Sequence, residues 1–212
     1  MRRRTRQACY ELLAELLLYP EDRIEARLQA LAKDVARAPA AIRGPILTLM
    51  ASLEARDCER YLSVLELAPS CPLYLGYYLF DEPRNCRGAA TSGRNRYMIE
   101  LAGIYRHFGL EPTGAEVPDY LPLVLEFVSF SLDRPERNRT GIREMLIRDY
   151  IAPALAPMQA RFRQAGGCWT LAIDALVAAI EAELRERPAA RRRGRTGRSR
   201  RELPVIRFEA ES

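Results

Sequence analysis

The chain has 212 residues, 48% of them hydrophobic, which is enough apolar material for a full core and excludes disorder throughout. Its net charge of +5 is unevenly placed: nine arginines fall within 185–201 and four within 2–6, while residues 7–184 carry 19 basic and 24 acidic side chains. The ~18–20 residue apolar run of a membrane helix is missing, and 28 Leu and 29 Ala against 7 Val, 11 Ile and 7 Thr argue against an all-β fold.

In chain order, Cys9, Leu12, Leu13, Leu16 and Leu17 recur at helical spacing and predict an amphipathic first helix. Arg2-Arg3-Arg4 before a Leu-rich run has the outline of a twin-arginine export signal. Glu11 and Glu15 inside that run, with no small-residue cleavage site after it, argue for a packed helix instead. Ile24, Leu28, Leu31 and Val35 predict a second helix ending near Pro39. Ile46, Leu49, Met50 and Leu53, then Cys58, Tyr61, Leu62 and Leu65, predict a third, long or broken, that Pro69 stops. A helix over 72–80 can start at Pro72, where the missing N–H costs nothing. A loop follows over 81–93.

Tyr97, Leu101, Ile104 and Phe108 predict the next helix, with Gly109 after its end. Residues 112–118 read as a loop. Over 119–132, Leu121, Val124, Leu125, Val128 and Leu132 line one face and Leu123, Phe127 and Phe130 another, as in a central buried helix. Ile142, Met145 and Leu146 open a helix that Pro153 and Pro157 bend or break, and Leu155, Met158 and Phe162 carry it to Gly166-Gly167. Trp169, Ile173, Leu176, Val177, Ile180 and Leu184 make the last one, stopped by Pro188. The expected architecture is all-α: one bundle of about seven helices over 1–187, followed by an Arg-rich, disordered tail over 188–212. Within that tail Leu203–Phe208 is a short apolar island, able to dock on the body or form a lone strand.

Catalytic chemistry finds no residues here. The five cysteines are widely spaced without Cys-x-x-Cys, and His107 is the only histidine, so neither a zinc site nor a Cys–His pair is expected. The stretch Gly88–Gly93 lacks the lysine of a phosphate loop and reads as a turn. No catalytic residue, metal or cofactor is assigned.

Two segments stand out. Tyr74, Tyr77 and Tyr78 cover more than one face of a helix, and either hold an apolar peptide or pack at a helix crossing with their hydroxyls in water. Asp119, read as the N-cap of the following helix with Pro122 at the third position, keeps one oxygen available. That leaves an acidic spot beside Tyr120 for an Arg or Lys of a partner. Glu126, on a largely apolar helix, reaches the edge or meets a buried cation. The candidate partner-binding residues are Tyr74, Tyr77, Tyr78, Asp119, Tyr120, Pro122 and Glu126.

Leu73-Tyr-Leu-Gly-Tyr-Tyr-Leu79, Arg87-Gly88, the run Met98–Leu110, and Val117-Pro-Asp-Tyr-Leu-Pro-Leu-Val-Leu-Glu-Phe127 together resemble the NarJ family of nitrate reductase assembly chaperones, or delta subunits, within the TorD/DmsD group. Val117 and Tyr120 stand where that family's Leu-Pro-Asp-His-Leu-Pro pattern has Leu and His, and Ala89–Asn95 departs from the usual helix start. The resemblance implies a cytoplasmic, non-enzymatic chaperone, a monomer or weak dimer without membrane insertion. Its partner would be the N-terminal segment of an apo molybdoenzyme catalytic subunit. That client would be nitrate reductase or a related type II dimethyl sulfoxide reductase family enzyme, held for molybdenum cofactor insertion before docking or export. The mildly acidic body suits a basic peptide. The arginine tail leaves a second reading, an all-α nucleic-acid-binding protein.

Overall fold

The computed structural model describes residues 1–67, 69–81, 92–111, 114 and 116–186. Its first helix, α1 (Arg3–Leu16), was expected to bury one stripe. Every residue from Ala8 to Leu17 except Glu11 is buried instead. Helix α1 is therefore as central as the apolar helix α6 (Leu121–Ser131), against which it packs. Around it lie α2 (Glu25–Val35), α3 (Ala40–Ala51) and α9 (Thr170–Arg185). Helix α5 (Gly93–His107) ends with Gly109 at φ +87°, the left-handed stop expected there. Together with α8 (Ala152–Ala165), seven helices of eleven residues or more stand among the described residues, sharing one core that includes Trp169, Tyr10, Tyr61 and Phe162. The all-α reading holds. No described helix is long and apolar enough to cross a membrane. The tail over 188–212 lies outside the described residues, as does most of the 81–93 loop.

Three local readings are corrected. First, 72–80 is not a helix: only a four-residue 3-10 turn forms, Leu75–Tyr78. Tyr74 is extended because the backbone on either side of it is paired elsewhere. Second, Asp119 does not cap α6. Tyr120 occupies the N-cap position without a side-chain bond, and Pro122 falls at the second helical position. Third, the prolines do not break the 142–165 segment. Helix α7 (Ile142–Met145) widens into a π turn over Leu146–Ile151, and α8 then runs through Pro157 without a break. The wider turn places Pro153 in the first turn of α8, where its ring and missing N–H are tolerated. A similar π turn, Leu62–Glu66, extends the short helix α4 (Cys58–Tyr61).

One buried ion pair ties four of these elements together. Arg143 on α7 is paired with Glu183 on α9, their side chains only 2% and 3% exposed. Arg143 also donates to Ser131 Oγ at 2.9 Å and to the Val128 carbonyl of α6. Glu183 accepts from the Tyr10 hydroxyl of α1 at 2.9 Å. Removing Glu183 strands the Arg143 charge away from water, and removing Arg143 leaves Glu183 only the longer ion pair with Arg6 at 3.7 Å. Arg143→Met or Glu183→Gln is expected to destabilise the chain by about 3–5 kcal/mol, and the double variant by clearly less than the sum. Urea melts of the three variants check this.

Candidate functional site

The two motifs, some forty residues apart, meet through the backbone. The Leu75 N–H donates to the Asp119 carbonyl at 3.0 Å, and the Leu121 N–H donates to the Leu73 carbonyl at 2.7 Å. This makes an isolated antiparallel bridge between Tyr74 and Tyr120, whose rings lie 5.5 Å apart. Behind it the Asp119 side chain is fully buried. Its Oδ2 accepts from the Gly76 N–H at 3.0 Å and from Arg94 at 3.2 Å, and the Arg94 guanidinium also covers the Tyr74 ring. A Cβ on Gly76 would stand 2.6 Å from that Oδ2, so only glycine permits the approach. The carboxylate expected to meet a partner's cation thus meets Arg94 of its own chain. Sequence reasoning missed Arg94; its one signal was a cation at the edge of the loop between the motifs.

The tyrosines divide. Tyr78 donates to the Pro72 carbonyl at 2.9 Å, and burial raises its phenol's pKa. Tyr77 is 38% exposed and packs edge-on against Tyr78. Tyr120 is buried under the bridge, which pushes its phenol up to about 12.

On the far side of Tyr120 opens a groove of about 500 Å³. Its floor is Tyr105, Tyr120 and Phe127. Its walls are Leu18 after α1, Leu110 and Pro118 from the loop after α5, and Pro122, Leu123 and Phe130 of α6. The Tyr105 hydroxyl donates to the Pro118 carbonyl at 2.7 Å and holds that loop against α5. Glu111, Glu116 and Glu126 stand at the rim, all exposed. Glu111 lies 3.4 Å from Arg106, whereas Glu116 and Glu126 have no ion-pair partner among the described residues. Partial burial against the apolar wall raises the Glu126 carboxyl above the usual range; Glu15 and Glu11 add to this and Arg27 opposes it. Of the seven candidate residues, Tyr120, Pro122 and Glu126 line the groove. Tyr74 and Asp119 build its supporting bridge, and Tyr77 and Tyr78 lie outside it.

Among the described residues no His, Cys, Asp or Glu cluster is placed to hold a metal. The four described cysteines are free, and His107 contacts the Arg137 carbonyl at the end of α5.

The sequence from 46 to 165, more than half of the chain and all of this site but Leu18, matches the nitrate reductase delta subunit family. The chain belongs to that family. The nitrate reductase molybdenum cofactor assembly chaperone NarJ of Escherichia coli K12 is 25% identical over 173 residues, 78% of this chain and 66% of that protein. The probable chaperone of the same description, NarJ of Bacillus subtilis, is 28% identical over 131 residues, 58% of this chain and 66% of its own. The nitrate reductase-like protein NarX of Mycobacterium tuberculosis is 36% identical over 80 residues, 38% of this chain and 11% of its own. The chain thus spans just under two thirds of the NarJ relatives and about a tenth of NarX. The delta-subunit relatives are named as assembly chaperones rather than catalytic subunits, in keeping with a non-enzymatic role.

Asp119→Asn separates an internal anchor from a helix cap. A cap tolerates asparagine at little cost. A buried carboxylate facing Arg94 does not, and the substitution is expected to cost about 1–3 kcal/mol in denaturant melts.

Proposed function

We propose that the chain is an assembly chaperone for a molybdoenzyme. The groove beside α6 would take the N-terminal segment of the apo catalytic subunit, nitrate reductase or a related type II dimethyl sulfoxide reductase family enzyme. Holding that segment keeps the client from docking or export until its molybdenum cofactor is inserted. The observation that carries this reading is the groove itself, an apolar trough walled by the Val117–Phe127 motif and rimmed by carboxylates, two of which, Glu116 and Glu126, have no ion-pair partner among the described residues. Apolar side chains of a peptide would fill the trough, and its basic residues would meet Glu116 and Glu126. The assembly-chaperone relatives support the client class. The role calls for no bond-making by this chain, only capture, orientation and release.

Calorimetric titration with a synthetic N-terminal peptide of the client's catalytic subunit tests it. Phe130→Ala removes a half-buried wall residue and is expected to cost about 2 kcal/mol of affinity, roughly thirtyfold. Glu126→Lys is expected to weaken a basic peptide by ~1 kcal/mol, more at low salt. Because the Glu126 carboxyl titrates above the usual range, its charge is lost early on acidification. Affinity should therefore fall as the pH is lowered toward that range in the parent, and less in Glu126→Gln. Tyr77→Ala, outside the groove, is expected to bind as the parent does. A Tyr77→Ala loss larger than that of Phe130→Ala would move the site to the tyrosine patch on the 3-10 turn.

A further inference from the structure

We propose that the cavity at the start of α1 binds a terminal phosphate group, with Arg2 and Thr5 as its side-chain donors. It shares no lining residue with the groove beside α6 and does not rest on the chaperone reading.

The cavity, of about 570 Å³, is lined by Met1, Arg2, Thr5, Arg37, Ala38 and Pro39. Two helices begin there. Arg2 is the N-cap of α1 and Pro39 that of α3, and neither helix has a side-chain cap or an acidic residue in its first turn. The first backbone bond of α1 runs from the Arg6 N–H to the Arg2 carbonyl, so the N–H groups of Arg3, Arg4 and Thr5 have no acceptor among the described residues. In α3 the first runs from the Ile42 N–H to the Pro39 carbonyl, which leaves those of Ala40 and Ala41 in the same state. Two positive helix ends at one cavity favour an anion.

A helix start by itself is served by water. Thr5 is the independent sign of a ligand. It is only 4% exposed, it lines the cavity, and its hydroxyl has no hydrogen-bond partner among the described residues. Buried hydroxyls are ordinarily bonded, and an anion oxygen in the cavity supplies the missing acceptor.

The charges agree. Arg4 and Arg37 share the single carboxylate of Asp34. Arg43 donates to the Ala38 carbonyl at 3.2 Å, and neither Arg43 nor Arg2 has an ion-pair partner among the described residues. Four guanidinium groups against one carboxylate make this corner strongly positive. Arg3 and Arg4 also stand in the first turn of α1, where a positive charge is unfavourable until an anion joins it. The donors come from two helix starts, a hydroxyl and a guanidinium, so they do not share a plane. A terminal phosphate has three free oxygens in tetrahedral directions for them, whereas a carboxylate or a phosphodiester has two.

The test uses the full chain with isotope-labelled amides, titrated with inorganic phosphate in chloride buffer and followed by NMR. The signals of Arg3, Arg4, Thr5 and Ala41 are expected to shift and saturate, and that of Gly109, which is not at the cavity, to stay. Thr5→Val keeps the side chain's shape without its hydroxyl. It is expected to melt as the parent does and to bind phosphate roughly tenfold more weakly. Arg2→Gln, at an exposed position, is expected to weaken binding about threefold. Arg163→Gln, which does not line the cavity, is expected to bind as the parent does. Amides that do not move would overturn the site, as would equal affinity in the parent, Thr5→Val and Arg2→Gln. If Thr5→Val melts early, Arg2→Gln decides. Vesicles of phosphatidylcholine with and without phosphatidic acid separate the sources of the phosphate. Thr5-dependent sedimentation with phosphatidic acid assigns a lipid headgroup; its absence, with inorganic phosphate still bound, assigns a soluble phosphomonoester. An oligonucleotide without a terminal phosphate that bound with the same Thr5 dependence would overturn the terminal phosphate in favour of a nucleic-acid backbone.

Discussion

The Asp119 carboxylate is a charge with no contact with water, and the site is arranged around meeting its demands. An uncompensated carboxylate in that position would be too costly to keep. Its compensation comes from one backbone N–H, at Gly76, and one guanidinium, at Arg94, which lie on two different segments. Both contacts fall on Oδ2, while the buried Oδ1 has no hydrogen-bond partner among the described residues, and together they fix the distance between the 3-10 turn, the start of α5 and the start of α6. The bridge between Tyr74 and Tyr120 is the backbone side of the same arrangement, and it sets Tyr120 in the floor of the groove.

The other end of α6 is held by a buried cation. Arg143 binds the Val128 carbonyl and the Ser131 hydroxyl and is itself neutralised by Glu183. Helix α6 is thus fastened just before its start by Asp119 and at its last turn by Arg143, with α1 packed along its length. A wall anchored at both ends loses little freedom when a peptide settles on it, so more of the contact energy appears as affinity. Glu116 and Glu126 at the groove are left without an ion-pair partner among the described residues, while the two buried carboxylates, Asp119 and Glu183, have their own cations. Long-range attraction is thereby concentrated at the rim and not spent in the interior.

Much of this was legible in the sequence. The helices announced themselves through apolar spacing because a 3.6-residue period is a local property. The role of Asp119 was not legible. Asp before an apolar helix has the same local pattern whether it caps that helix or reaches across to Gly76, and only the tertiary contact decides. The 72–80 segment failed for a related reason: its apolar residues satisfy a helical pattern, but the bonds of Leu75 to Asp119 and of Leu73 to Leu121 take the backbone groups that a helix would use. The groove was half visible. Tyr120, Pro122 and Glu126 came from the motif, and Phe127 and Phe130 had been placed on the second apolar face of their helix. That this second face is only partly covered, leaving Leu123 and Phe130 half-exposed, depends on where α5 and its following loop stop.

A binding site that must later let go faces a conflict between capture and release. An apolar trough alone releases slowly, because the water that returns on dissociation gains nothing from the bare wall. Charges at the rim act differently: they raise the rate of encounter and are screened once the peptide's own surroundings change. Under the proposed reading, the groove beside α6 combines a modest apolar volume with two carboxylates that have no ion-pair partner among the described residues, which would support fast capture of a basic apolar segment without deep commitment to it. Helix α6 contributes both parts, since its spacing sends Leu123 and Phe130 to the wall and Glu126 to the rim of the same face. The motif that marks the family along this helix is thereby explained as one surface with two functions. Its buried residues hold the helix in place, and the residues left at the edge determine what it can hold.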